Sequence, residues 1–189
     1  MKLLILSAIM MLLLSLQRCS SVPEADINNY SVDNFIGAIT VEKTEFDKNT
    51  TIRSISLRDS TFTLSVEQTY VWALISEVGE EDIRRYIYID ITYRGGDMRF
   101  YGNAQLPGGT KLNEQVIRRK VLSCTSINQC RYNEIIAIDV TEDVFYEAVK
   151  NGLRMRINSK YDQHNWVNEF PQNLFAAQRI EENKVAQNL

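Results

Sequence analysis

From Phe35 onward, apolar and polar residues alternate in short runs broken by turn residues, the period-two pattern of half-buried strands rather than helices. Residues 36–43 and 50–58 predict two strands. Asp59-Ser60 predicts a tight turn into a strand over 61–66, with Phe62, Leu64 and Val66 inward, and residues 70–76 extend it or begin another. The clearest local signal is the run 85–93, then Arg94-Gly95-Gly96-Asp97, then 98–103. A Gly-Gly pair between two alternating runs predicts a two-residue hairpin, because both central positions of a type I′ turn need positive φ. Tyr93 then faces Met98. Ile87, Ile89, Ile91, Tyr93, Met98 and Phe100 fall on an apolar face, and Tyr86, Tyr88, Asp90, Thr92, Arg99, Tyr101 and Asn103 on the other.

A second hairpin is expected around Cys124 and Cys130. If the two are bonded across it, Leu122 faces Tyr132 and Lys120 faces Glu134, which puts a charge pair on the face that also carries Ile136 and Ile138. At a sheet's rim such a pair reaches water through its aliphatic stems; in the interior it is a buried bridge, and the rim is the commoner place. Thr141-Glu142-Asp143 opens a short helix over 142–151, closed by Gly152, and 153–158 alternates as a strand. A polar loop holding His164 and Trp166 follows, then a helix from Pro171 to about Gln187. Its stripe, Leu174, Phe175, Ala177, Ile180 and Val185, weakens toward the end, so the helix is expected to pack at first and then fray. The fold class is mainly β: an antiparallel β-sandwich or strongly curved sheet with one short helix and a C-terminal helix, the alternative being α+β.

The first residues have a different character. After Lys2 comes a 14-residue run from Leu3 to Leu16 that is apolar but for two serines, short of the roughly 20 residues a spanning helix needs, and it reads as an export signal. Leu16-Gln17-Arg18-Cys19-Ser20-Ser21 resembles the lipidation signal of bacterial lipoproteins, in which a leucine stands three residues before the cysteine. The resemblance implies cleavage before Cys19, a lipid on that residue, and a membrane partner reached through it. Arg18 departs from the small residue of the pattern. Cleavage near Ser21, giving a free secreted or periplasmic protein, is the alternative. The expected organisation is a signal peptide over 1–18, a Ser-, Asp- and Asn-rich tether over 19–34, and one domain over 35–189. Cysteine arithmetic agrees, since three cysteines leave Cys19 over once Cys124 and Cys130 are paired.

The whole chain carries a formal charge of −3, and removal of Lys2 and Arg18 lowers the basic count from 21 to 19 against 24 acids, or −5. No basic run exceeds Arg118-Arg119-Lys120, so no nucleic-acid partner is expected. Serine elbows, phosphate-cradling glycine loops, dinucleotide fingerprints and paired-cysteine zinc patterns are all missing from the sequence. With a single histidine, His164, no metal site and no cofactor are expected. Tyr86, Tyr88, Asp90, Arg99 and Tyr101 are the candidate ligand-binding group, rings that stack beside charges that orient. The functional expectation is a noncatalytic envelope module that binds a protein or a glycan. A carboxylate-dependent hydrolase using Asp90 or Glu134 is one rival, and a small-molecule carrier with an apolar β cavity is another.

Overall fold

The computed structural model describes residues 22–23, 29–43, 48–63, 66–126, 129–161 and 164–189. The signal and Cys19 lie outside them. The protein is mainly β, with two sheets and three helices among the described residues. The larger sheet is built on four long strands, β5 (Val66–Val78), β6 (Ile83–Gly95), β9 (Gln129–Asp139) and β8 (Glu114–Ser126), antiparallel and in that order. Beyond β5 lie β4 (Leu57–Thr63) and β3 (Thr50–Arg53); β2 (Thr40–Glu42) pairs with β3, and the two-residue β1 (Val22–Pro23) runs parallel to β4. The smaller sheet is antiparallel, with β11 (Trp166–Phe170), β10 (Leu153–Asn158) and β7 (Gly102–Gln105) in that order.

The alternation in β6 predicts its inward face correctly: Ile87, Ile89, Ile91 and Tyr93 are buried. From β5 come Tyr70, Trp72 and Leu74, and from β9 Tyr132, Ile136 and Ile138. The small sheet covers this face, with Trp166 stacked on Tyr70 (ring centroids 4.1 Å apart) and Phe170 edge-on to Trp72 (4.2 Å). Trp166 therefore opens a strand, where the sequence suggested a loop. Helices α1 (Val32–Ile36), α2 (Glu142–Asn151) and α3 (Gln172–Ala186) pack together, and α3 closes the other end of the core. Ser31 and Asn34 form a capping box that starts α1, so the expected strand over 36–43 is reduced to β2. Asp59 and Ser60 pair with Tyr70 and Thr69 inside a ladder and make no turn. The expected inward set of Phe62, Leu64 and Val66 lies outside the described side chains.

Both hairpins differ from expectation, each for a local reason. Neither Gly95 nor Gly96 has positive φ, and the chain leaves β6 without turning back onto it. Among the described residues the glycines with positive φ are Gly108 and Gly109, each at 88°, and Gly152, at 74°, after the helix that it closes. With Pro107 ahead of them and Gly109 N donating to Leu106 O (3.0 Å), Gly108 and Gly109 form the tight turn that carries β7 into β8. In the second hairpin Cys124 and Cys130 are bonded and opposite one another. An irregularity in β8 at Leu122 then shifts the register by one residue, so Arg119, not Lys120, faces Glu134. Leu122 is exposed rather than on the core face. Disulfides persist outside the reducing cytosol, so the bond points to an exported protein. Among the described residues no helix is long and apolar enough to cross a membrane.

Candidate functional site

The charge pair expected at the rim lies in the interior. Glu134 is fully buried (0 % exposed), and four donors meet its carboxylate. Oε1 accepts from the Tyr93 phenol (2.6 Å) and Phe100 N (3.0 Å); Oε2 accepts from Tyr101 N (3.0 Å) and Arg119 Nε (2.9 Å). Phe100 has φ of 53°, and a left-handed residue lets consecutive backbone N–H groups converge on one anion. The device repeats three residues on. Asn103 has φ of 49°, and Glu114 accepts from Asn103 N (2.8 Å) and Ala104 N (3.0 Å), one oxygen each. Two carboxylates, one from β9 and one from β8, thus hold the chain from Phe100 through Ala104, where it leaves the loop after β6 and enters β7. Gly102 lies between the two nests, where a Cβ would meet the Glu114 carboxylate and displace it.

Beneath this segment Tyr101 is fully buried. Its hydroxyl meets Arg99 Nη1 (3.0 Å), Gln68 Nε2 (3.1 Å) and the Tyr70 hydroxyl (3.3 Å), and the Arg99 guanidinium lies 4.3 Å over the Tyr93 ring. Burial holds the Tyr93 phenol far above the ordinary tyrosine value, and the Glu134 carboxylate beside it acts in the same direction. His164, in the loop before β11, is held below its ordinary value by partial burial and then by the nearby Arg99 charge.

Above the segment is a groove of about 770 Å³ at the corner where β7 turns into β8 and the end of β10 crosses β7. Asn158 pairs with Gly102 and donates from Nδ2 to Asn103 O (2.7 Å), and Asn165 accepts from Ser159 N (3.0 Å). These bonds set an amide-rich wall. Lys111, Arg119, Arg156 and Lys160 also line the groove, with Glu114 as the single carboxylate among the described residues. Phe100, 40 % exposed, presents its ring there between Lys160 Nζ (5.3 Å) and Arg119 Cζ (5.5 Å). A polar groove with one ring platform can hold a hydroxyl-rich ligand by hydrogen bonds and stacking.

The five residues expected to form a recognition face are not brought together. Tyr86, Tyr88 and Asp90 lie on the outer face of β6, half-buried among their neighbours, where Asp90 accepts from Asn133 Nδ2 and lies 3.9 Å from Arg118. Arg99 and Tyr101 are under the opposite face. Asp90 and Glu134 are likewise on opposite faces of the sheet and form no paired-carboxylate cleft. The predicted lipidation residue, Cys19, is outside the described residues. Among those residues no group of three or more potential ligands is placed to hold a metal. The groove residues Lys111, Asn158, Ser159, Lys160 and Asn165 carry no spacing signal in the sequence, since they come from segments joined only by β7–β10 pairing. The one sequence hint was the charge of Glu134 on an apolar face. No protein-family model matches the chain, and neither does any curated protein or solved structure.

Proposed function

We propose that the protein is an exported, noncatalytic binding module that takes a glycan in the groove at the β7–β8 corner. The observation that carries this reading is the groove itself, whose described walls are amides, a hydroxyl, cations and one carboxylate, and whose large apolar surface is the Phe100 ring. Sugars are bound by such combinations because their hydroxyls need many short donors and acceptors while their C–H faces stack on a ring. Support also comes from the stiffness of the floor, since a preorganised surface spends less of its interaction energy on ordering itself. The Leu16–Cys19 signal supports attachment to the envelope membrane through lipid on Cys19, and a chain of intact mass beginning at Cys19 with acyl chains added is the expected product in the membrane fraction. The functional test is retention of the full-length protein on a panel of surface-immobilised oligosaccharides. Phe100→Ala should weaken retention about tenfold, the size of one lost ring contact, and equal retention of the variant would sink the reading.

A second reading rests on β8, which is an edge strand and exposes Val116, Ile117, Val121 and Leu122. A protein partner adding a strand there is opposed by the bulges and by Arg118 and Lys120, which are devices that guard edges against pairing.

A further inference from the structure

Charge is distributed against the protein's overall sign in the groove. A chain with a formal charge of −3 places four cations and one carboxylate around a single concavity. Arg119 is neutralised by the buried Glu134 at 2.9 Å, and Glu114 has both oxygens committed to backbone N–H groups. That leaves Lys111, Arg156 and Lys160. All three are exposed, and none has a carboxylate partner among the described residues: Arg156 Nη2 donates to the neutral Gln105 Oε1 (2.8 Å), and Lys160 faces only the rings of Phe100 and Tyr161, each at 5.3 Å. Elsewhere in the described structure several cations do have a carboxylate partner, as Arg84 with Asp82, Arg154 with Glu169, and Lys184 with Glu181. Set against the one charge that Glu114 keeps, these three cations leave the described groove net positive, which concentrates an attractive potential for anions.

The second observation is independent of charge. Ser159 lines the same groove and is only 4 % exposed, yet its Oγ has no hydrogen-bond partner among the described residues. A buried hydroxyl without a partner destabilises the unliganded protein. The neighbouring backbone is well satisfied, since Ser159 N donates to Asn165 Oδ1 and Lys160 N to Arg99 O (2.9 Å). A rotation about χ1 of Ser159 would offer this hydroxyl to a bound molecule at the same place that the cations offer charge.

We propose that the groove is a site for an acidic saccharide, whose carboxylate or sulfate groups are taken by Lys111, Arg156 and Lys160 and whose hydroxyls are met by Ser159. This rests on the glycan reading given above and adds the ligand's charge to it. An anion alone would need the cations but not Phe100 or the amide wall, whereas a neutral sugar would need those but not three unpaired cations.

The test uses the full-length protein in isothermal titration against two matched pairs: oligogalacturonate and its fully methyl-esterified form, and a sulfated chondroitin oligosaccharide and its desulfated, carboxyl-esterified form. Inorganic phosphate is a fifth titrant. The charged member of at least one pair should bind about tenfold or more tightly than its neutral counterpart, with affinity falling as salt rises. Lys160→Gln and Arg156→Gln should each reduce that affinity about three- to tenfold while leaving the neutral member unchanged. Ser159→Ala should weaken binding and leave the melting temperature unchanged or raised, a combination that a structural role for the hydroxyl would not give. Equal affinity for charged and neutral members overturns the acidic-ligand inference and leaves the glycan reading standing. Binding of phosphate as tight as that of the oligosaccharides overturns the saccharide part, and no binding by any titrant at millimolar concentration overturns both.

Discussion

Two fully buried carboxylates stand at opposite ends of the inner face of β6, and their partners differ in kind. Glu134, beside Tyr93, spends two of its four hydrogen bonds on the backbone of an irregular segment. Glu182, 1 % exposed and beside Arg85, bonds only side chains: Arg85 Nε (2.9 Å) and Nη2 (2.8 Å) in a fork, and the Ser76 hydroxyl. One carboxylate shapes a loop and the other docks a helix on a sheet. Burial works against the Arg85 charge, but Glu182 and then Glu142, at 2.6 Å, outweigh it and keep the guanidinium above its ordinary value. At the Glu134 end Arg119 has no second carboxylate among its described partners, and the orphaned groups after loss of Glu134 include two amides that have no other acceptor. A buried anion in the first place is part of the backbone's own hydrogen bonding, and in the second it is a replaceable clamp.

The largest expected effect separates the two. Glu134→Ala should cost about 3–5 kcal/mol in chemical denaturation, the usual size for an uncompensated buried charge, with added loss for the two stranded N–H groups. Glu182→Ala should cost about 2–3 kcal/mol, because Glu142 still meets Arg85. Equal costs, or a larger one at Glu182, would remove the distinction. Hydrogen exchange locates the damage: amides 100 and 101 should lose protection in the first variant and keep it in the second.

A smaller effect sharpens the account of the loop. Gly102→Ala should push Glu114 off Asn103 N and Ala104 N and cost about 1–2 kcal/mol, roughly two neutral hydrogen bonds partly recovered from water. Glycan retention should fall with it, since Gly102 and Glu114 are both in the groove wall. Unchanged stability in this variant would show that the second nest is ornamental.

The smallest effects are in pH. The raised Tyr93 value means that the folded state holds a proton that the unfolded chain gives up near its ordinary value of 10.0, so this contribution is complete below about pH 10 and is lost as the pH rises above it. Tyr93→Phe should flatten the alkaline limb of the stability curve. His164 has the opposite sense. Its value is lowered, so the unfolded chain binds the extra proton first, and its contribution is present above the ordinary value of 6.5 and declines as pH falls below it. His164 is an exposed loop residue, so His164→Gln should move the acid limb by only a few tenths of a kcal/mol.

Much of the regular structure was legible locally. The alternation of β6, the helix over 142–151 and the strand over 153–158 follow from short-range pattern, because burial on one face imposes a period that any few residues display. The late helix was legible in extent and in the first part of its face, where Leu174, Phe175 and Ala177 are buried as expected, but not in the rest. Its buried stripe includes Gln178 and Glu182, while the apolar Ile180 is exposed, because Ser76, Arg85 and the carbonyl of Ile52 wait for polar partners across the interface. The Gly95-Gly96 turn failed for a similar reason. Glu134 draws the backbone at Phe100 and Tyr101 into a nest, and that distant demand overrides the local preference of two glycines for a hairpin.

By itself, the sequence determined the β class, the order and approximate span of most strands and helices, and the pairing of Cys124 with Cys130, because each depends on neighbours within a few residues or on simple counting. Only the tertiary structure decided which charge meets Glu134, where Arg99 and Tyr101 go, and that Lys111, Arg156, Ser159 and Lys160 share one groove. One unpaired residue in β8 moves every later partner by a position, and a groove wall drawn from three strands exists only after those strands have been placed.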